Sequence, residues 1–232
     1  MDIGFELQEK MFAKKRIENI KKDMLKIFSF YTKEKNINDE KIMNLFKNDI
    51  DGFLGCANQC QKLPSIYSLC ATIGTMLKKR FNFEMPTINT KPLLSFSSKN
   101  TAKSEMYWKI PAHQDYPSNL GSKNGITCWI PLQDIDTNLG PLEFIPNSDK
   151  FGELEYIVKE GVPILKNDFE ESKFVKIPMK CGDAIFFNTL TIHKSGKNIT
   201  ENSIRWSLHF RYNDAFDVEF AKRKYPKNRT ND

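Results

Sequence analysis

Ile204-Arg205-Trp206-Ser207-Leu208-His209-Phe210-Arg211 alternates apolar and polar side chains without a break. A period of two belongs to a strand, whose successive side chains point to opposite faces. Ile204, Trp206, Leu208 and Phe210 share one face, and Arg205, Ser207, His209 and Arg211 share the other. Two arrangements fit. Either the polar face is wet, as in an ordinary half-buried antiparallel strand, or the apolar face packs on a helical layer and the polar face points into a barrel. In the second case Arg205 offers a planar, two-pronged donor to a carboxylate, which lysine cannot imitate.

Other β-like segments precede this one, at 93–97, 106–110, 126–132, 142–145, 174–179 and 184–188, with the last running over 203–212. Gly, Pro and Asn separate them and no helical pattern alternates with them, which favours an antiparallel sandwich or jelly roll over a parallel α/β sheet. The first third is helical instead. Ile17, Ile20, Met24, Ile27, Phe28 and Tyr31 recur at three- and four-residue spacing. Asp39 is expected to cap a second helix carrying Ile42, Leu45, Phe46 and Ile50. Pro64-Ser65 opens a third, with Ile66, Leu69, Ile73, Met76 and Leu77 on its stripe. None of these helices holds a histidine, so their expected job is to cover one face of the sheet.

Composition narrows the function. A chain of 232 residues suits one domain with a sizeable core. No apolar run approaches the roughly 18–20 residues that span a bilayer, and the charged stretch from Met1 to Lys15 lacks a signal peptide's apolar region. Five cysteines without a CxxC pair read as reduced thiols in a cytoplasmic protein, where the Asn198-Ile199-Thr200 sequon means little. The net charge of +6 is dispersed, and its clusters (Lys14-Lys15-Arg16, Lys78-Lys79-Arg80, Lys222-Arg223-Lys224) read as solvated helix faces. No membrane and no nucleic-acid partner is expected; a small, anionic substrate accounts for the charge as well.

Ala112-His113-Gln114-Asp115-Tyr116 sets an imidazole and a carboxylate two positions apart at the end of the 106–110 segment. If the strand continues, both point to one face and can grip one ion. Two histidines and a carboxylate on one octahedral face hold non-haem Fe(II) with positions left open. The chain has two further histidines, His193 and His209. His193 follows the Gly182-Asp183 turn and an apolar strand, where it can project into a barrel mouth; His209 lies within the last strand. Ser195 and Ser207 can add hydroxyl donors to a carboxylate held by Arg205. The charged excursion over 151–173 is the expected place for a lid or binding loop, and the polar tail 213–232 is either partly disordered or folded over the site.

His113-Gln114-Asp115, Trp129-Ile130-Pro131-Leu132, Gly140-Pro141-Leu142-Glu143-Phe144-Ile145-Pro146, Gly182-Asp183 and His193-Lys194-Ser195 through Arg205 occur in that order. Over roughly 93–212 the set resembles the phytanoyl-CoA dioxygenase (PhyH-like) family of Fe(II)/2-oxoglutarate-dependent oxygenases. The resemblance implies a mainly β fold with N-terminal α-helices, a double-stranded β-helix (cupin-like jelly roll) in one domain: helical cover about 1–85, β core about 86–212, tail 213–232. It implies His113, Asp115 and His193 as metal ligands, Arg205 as the 2-oxoglutarate carboxylate anchor, Ser195 assisting and Trp129 lining the pocket. Fe(II), 2-oxoglutarate and O2 are then the cofactors, and hydroxylation of a small molecule with release of succinate and CO2 the reaction. Halogenases of this kind replace the carboxylate with a small residue, so Asp115 favours hydroxylation, or a related desaturation or demethylation. Where relatives often carry Gly-Ser-His, this chain has Asn147-Ser148-Asp149; Asn tolerates the left-handed turn. The alternatives are a cupin-like isomerase or epimerase without 2-oxoglutarate, and a non-catalytic binding domain.

Overall fold

The computed structural model describes residues 1–99 and 110–226. In chain order the elements are β1 (Phe5–Gln8), α1 (Lys14–Thr32), α2 (Asp39–Asn48), α3 (Ile50–Gln61), α4 (Pro64–Arg80), β2 (Pro86–Ile88), β3 (Leu93–Ser97) and α5 (Tyr116–Asn119). There follow β4 (Ile126–Pro131), β5 (Leu142–Phe144), β6 (Tyr156–Lys159), β7 (Val162–Leu165), β8 (Val175–Lys176), β9 (Ala184–Asn188), β10 (His193–Ser195), β11 (Arg205–Asp214) and α6 (Val218–Lys222).

The last strand is the middle of the larger sheet. β11 pairs antiparallel with β4 on one edge and with β3 and then β2 along the other, while β4 continues to β9 and β1. A second sheet, β10-β5-β8, lies apart from it, and His113 joins β10 through an isolated antiparallel bridge to His193. All these pairings are antiparallel, and the two sheets form the double-stranded β-helix, a jelly roll whose sheets do not close into one continuous barrel.

Of the two arrangements open to β11, the second is found. Ile204, Trp206, Leu208 and Phe210 are buried in one apolar cluster with Ile17, Ile20, Met24 and Phe28 of α1 and with residues of α2, α3 and α4. Trp206 lies 6.0 Å from both Phe28 and Phe96, and Phe53 meets Phe96 edge-on at 4.6 Å. The Tyr212 hydroxyl donates to the Cys70 carbonyl of α4 at 3.0 Å. The opposite face of the sheet looks onto a second cluster, in which Phe5, Trp129, Phe144, Ile185 and Phe187 fill the space between the sheets.

Several boundaries differ from expectation. Asn38, in extended backbone, caps α2 by accepting from Lys41 N; the Asp39 carboxylate instead accepts from Ile204 N and the Trp206 indole, tying helix to strand. Ile50 opens a separate helix, because Asp49 ends α2 and caps α3 through Gly52 N. β1, β2 and β10 were not expected, the 174–179 segment shortens to Val175–Lys176, and the excursion after 151 contains the β6-β7 hairpin. The tail carries the end of β11 and α6; the strand expected over 106–110 falls, apart from Ile110, outside the described residues. Asn147 adopts φ 62°, so the left-handed turn survives without glycine. Asn198 of the sequon is fully buried, its amide donating to Ser97 O and Ser203 O. All five cysteines are free and buried. Among the described residues no helix is long and apolar enough to cross a membrane.

Because Trp206 bridges helices and sheet, its truncation opens a cavity on both. Trp206→Ala is expected to lower unfolding free energy by about 3–5 kcal/mol, read as a shift of the urea midpoint at unchanged slope.

Candidate metal centre

The register of the two sheets decides which side chains meet. His113 N donates to His193 O and His193 N to His113 O, so the two rings face each other with centroids 4.2 Å apart. The Nδ1 of His113 lies 2.8 Å from Pro111 O, and that of His193 lies 3.0 Å from Thr191 O. A carbonyl only accepts, so each Nδ1 carries its proton and each Nε2 keeps a lone pair for an ion.

Asp115 arrives by a route the strand argument did not foresee. Its backbone is helical (φ −69°, ψ −28°) and immediately precedes α5, so the chain turns after His113 rather than continuing extended. Its side chain makes no cap bond there. The carboxylate turns inward: Thr127 Oγ1 donates to Oδ2 at 2.6 Å, Arg211 Nε to Oδ2 at 3.3 Å and Arg211 Nη2 to Oδ1 at 3.1 Å. Oδ1 lies 4.0 Å from His113 Nε2. His113, Asp115 and His193 thus offer one ligand atom each within 4.8 Å of one another, all buried, the one such group of three among the described residues. Gln114, between two of them, donates to Gly152 O and Leu190 O and accepts from Leu154 N.

Arg205 sits deeper on the same interior face of β11. One Nη donates to the Gly140 carbonyl and the other reaches Ser195 Oγ at 3.5 Å, two residues beyond His193. Gly140 is required where the chain passes the 196–198 backbone, since its φ is +76° and a Cβ there would stand 2.5 Å from Gly196 O. Arg205 Nε, Ser207 Oγ, Trp129 Nε1 and His209 Nε2 are buried with no hydrogen-bond partner. Arg205, Ser207 and His209 follow one another along the inner face of β11, where His209 pairs in register with Trp129 and their rings meet edge-on at 6.2 Å. Buried polar groups are ordinarily satisfied, so a row of orphans along that face, with Arg205 at one end, marks a place shaped for a polar ligand.

Burial alone pushes the Asp115 carboxyl up, but Arg211 and the two histidines overcome it and hold it well below the usual carboxylate range. Burial lowers all three histidines: His113 despite Asp115, His193 to about 3 with His113 adding to the effect, and His209 far below its ordinary value. Burial also brings Arg205 down to about 10, which leaves it charged at neutral pH. The sequence had given Arg211 a face but no task. Its pairing with Asp115 depends on the register Arg211↔Thr127, which no local pattern reveals.

These directions fix a pH dependence for the metal-free protein. The unfolded chain takes up protons on its histidines near the ordinary value of about 6.5, while the fold keeps them neutral. Below that pH the unfolded state binds more protons, so stability falls on acidification, by up to about 1.4 kcal/mol per pH unit for each histidine. Asp115 adds a loss in the same direction below about 3.9. Urea midpoints of metal-free protein should therefore drop steadily from pH 7 to pH 5; a flat profile would contradict the neutral, buried histidines.

The chain is similar to several known proteins. Methylphosphonate hydroxylase of Gimesia maris is 30% identical over 133 residues, 55% of this chain and 50% of the relative. The 1-deoxypentalenic acid 11-beta-hydroxylase of Streptomyces exfoliatus is 28% identical over 147 residues, 58% of this chain and 50% of that protein. The chain spans about half the length of the curated relatives it matches. The crystal structure of the epimerase SnoN in complex with Fe3+, alpha ketoglutarate and nogalamycin RO has the same fold, with a TM-score of 0.58 and 15% identity over 92% of this chain and 80% of that one. Residues 4–206 match phytanoyl-CoA dioxygenase (PhyH), and the chain belongs to that family.

Proposed function

We propose that this chain is an Fe(II)- and 2-oxoglutarate-dependent dioxygenase that hydroxylates a small, anionic molecule with release of succinate and CO2, in the cytoplasm. The observation that carries the reading is the convergence of two imidazoles and a carboxylate beside a buried arginine without a carboxylate partner among the described residues. Two neutral imidazoles and one carboxylate are the donor set that suits non-haem Fe(II). An unpaired buried guanidinium is costly and suits a ligand carboxylate, with its unused Nε and the Ser195 and Ser207 hydroxyls nearby. The residues fit the cofactor pair.

In this reading His113, Asp115 and His193 hold the iron, whose chemistry with 2-oxoglutarate and O2 supplies the oxidising power. Arg205 and Ser195 hold the far carboxylate of 2-oxoglutarate, with Ser207 as a further donor and Trp129 as a wall of the cavity. Pro111 and Thr191 carbonyls fix the imidazole tautomers, and Thr127 and Arg211 fix the carboxylate. A rigid set of this kind lets the protein orient its ligands without reorganising during the reaction. The names of both curated relatives describe hydroxylation, which together with the intact Asp115 favours hydroxylation here. An epimerase is the second reading, favoured by the fold shared with SnoN.

Anaerobic addition of Fe(II) and 2-oxoglutarate should produce a weak visible charge-transfer band, absent in Asp115→Ala. Arg205→Ala should raise the 2-oxoglutarate concentration needed for the band at least tenfold, as expected for a lost charge-assisted pair, without a matching change for iron. A cosubstrate requirement that does not move would remove Arg205 from this role. Succinate formed together with a hydroxylated product separates the hydroxylase from the epimerase.

A further inference from the structure

Two arginines share the interior face of β11, and only one has been used. Arg205 and Ser207 are buried, whereas His209 and Arg211 are the two positions of β11 that keep partial exposure. On a strand these four point the same way, so the exposure opens from the interior face at the Arg211 end. Arg205 and Arg211 are six residues apart, roughly 20 Å along a strand, with the histidine-carboxylate cluster between them. Arg205 lies beside Ser195, two residues past one ligand, and Arg211 lies on Asp115.

Arg211 grips Asp115 through Nε and Nη2, and neither bond uses Nη1. Its side chain remains 18% exposed, against 3% for Asp115. The guanidinium is therefore anchored to Asp115 along one edge, while Nη1 is left out of that grip and the side chain keeps partial exposure.

Charge bookkeeping gives that Nη1 edge a purpose. Among the described residues the charged groups on the inner face of β11 and at the cluster are Asp115, Arg205 and Arg211, whereas the buried Asp183 and Asp214 accept from backbone N–H groups elsewhere. The other acid-base set near the ligand strands, Glu143 with Lys194, pairs on the opposite face of β10 and β5. As metal ligands the histidines count as neutral, since an Nε2 that holds a cation carries no proton and the remaining proton sits on Nδ1, facing a carbonyl. One carboxylate and two guanidinium groups leave one positive charge. A doubly charged cation and a doubly charged 2-oxoglutarate cancel each other, so the loaded site keeps it. Charges removed from water need a partner, and 2-oxoglutarate occupies Arg205 at the far end.

Resting on the dioxygenase reading above, we propose that Arg211 is the substrate's docking group: the Nη1 edge of its guanidinium receives one carboxylate or phosphonate oxygen pair of a singly charged anionic substrate. The same side chain thereby fixes the metal carboxylate and the substrate relative to each other. The C–H to be hydroxylated is then set by its distance from the anionic group, and neutral analogues lack the anchor.

The test uses the full chain with Fe(II) and saturating 2-oxoglutarate under anaerobic conditions. The probes are formate, butyrate and benzoate, each with its amide: formamide, butyramide and benzamide. Wild type should respond to the acids at concentrations roughly tenfold lower than to the amides, both as a shift of the charge-transfer band and as a rise in thermal midpoint. Arg211→Lys, which keeps a positive charge beside Asp115, should keep part of the preference for acids; Arg211→Gln, which also weakens the hold on Asp115, should lose that preference in the thermal readout whatever becomes of the band. A wild type that treats acids and amides alike, or a Gln variant that retains the preference, overturns the proposal and leaves Arg211 as a support for Asp115. The thermal readout does not need the band. A missing band with a retained acid preference therefore counts against the iron and 2-oxoglutarate reading and not against the anion site.

Discussion

β11 turns neither face freely to water; only His209 and Arg211 keep partial exposure. It is hydrogen-bonded on both edges, its odd face looks into the space between the sheets, and its even face lies under helices. A strand so placed must find partners for every polar side chain on its inner face, and Arg205, Ser207, His209 and Arg211 make that interior a polar cavity rather than a closed apolar core. A slip of one residue would put Trp206 into the cavity and Arg205 among Phe28 and Phe96, exchanging both faces at once. Register and site are therefore fixed together, and the helices contribute to the chemistry by making the alternative register costly.

The two interior arginines solve the same electrostatic problem in opposite ways. Arg211 has a carboxylate in the protein, and the pair holds Asp115 ionised in a place where burial alone would protonate it. Arg205 has only a carbonyl and a hydroxyl. A leucine or methionine at that position would remove a desolvation cost, and exchanging buried ionic groups for apolar ones is often stabilising. An unmatched guanidinium is thus a poor choice for stability and a good one for a ligand that brings its own carboxylate. Local inconsistency of this kind is what functional sites look like when packing rules are applied to them.

Much of this could be seen in the sequence where pattern and burial agree. β3 and β9 match their expected limits because their apolar runs end at polar or turn residues, and β11 was given both its faces. The cluster of His113, Asp115 and His193 was legible because such side chains are rare in a chain with three histidines. The losses have physical causes. The β6-β7 hairpin turns at Glu160 and Gly161, both at positive φ, so a glutamate occupies the position where asparagine would have announced the turn. α3 was hidden because Asp49 closes one helix and caps the next, leaving no gap between them. β1 is four residues whose strand character comes from pairing with β9. Asp115 was reached by the wrong reasoning: a backbone turn and a distant arginine aim it, where strand alternation was expected to.

The excursion after 151 also acquires a definite relation to the site. Gln114, between two ligand residues, holds Gly152 and Leu154 through its amide. Leu165 N of β7 donates to Ala112 O, one residue before His113. Lys194, between His193 and Ser195, points away from the cavity, where it pairs with Glu143 and Glu171 and stands 3.9 Å over the Phe174 ring. The segments that carry His113 and His193 are thus both fastened to one stretch of chain. Movement of that stretch cannot be independent of the imidazoles, because the residues that tether it, Ala112, Gln114 and Lys194, adjoin His113 and His193 along the chain. The 151–173 segment thus buttresses the chain on either side of His113 and beside His193. A change in its length or packing would be felt first in the spacing between His113 and His193.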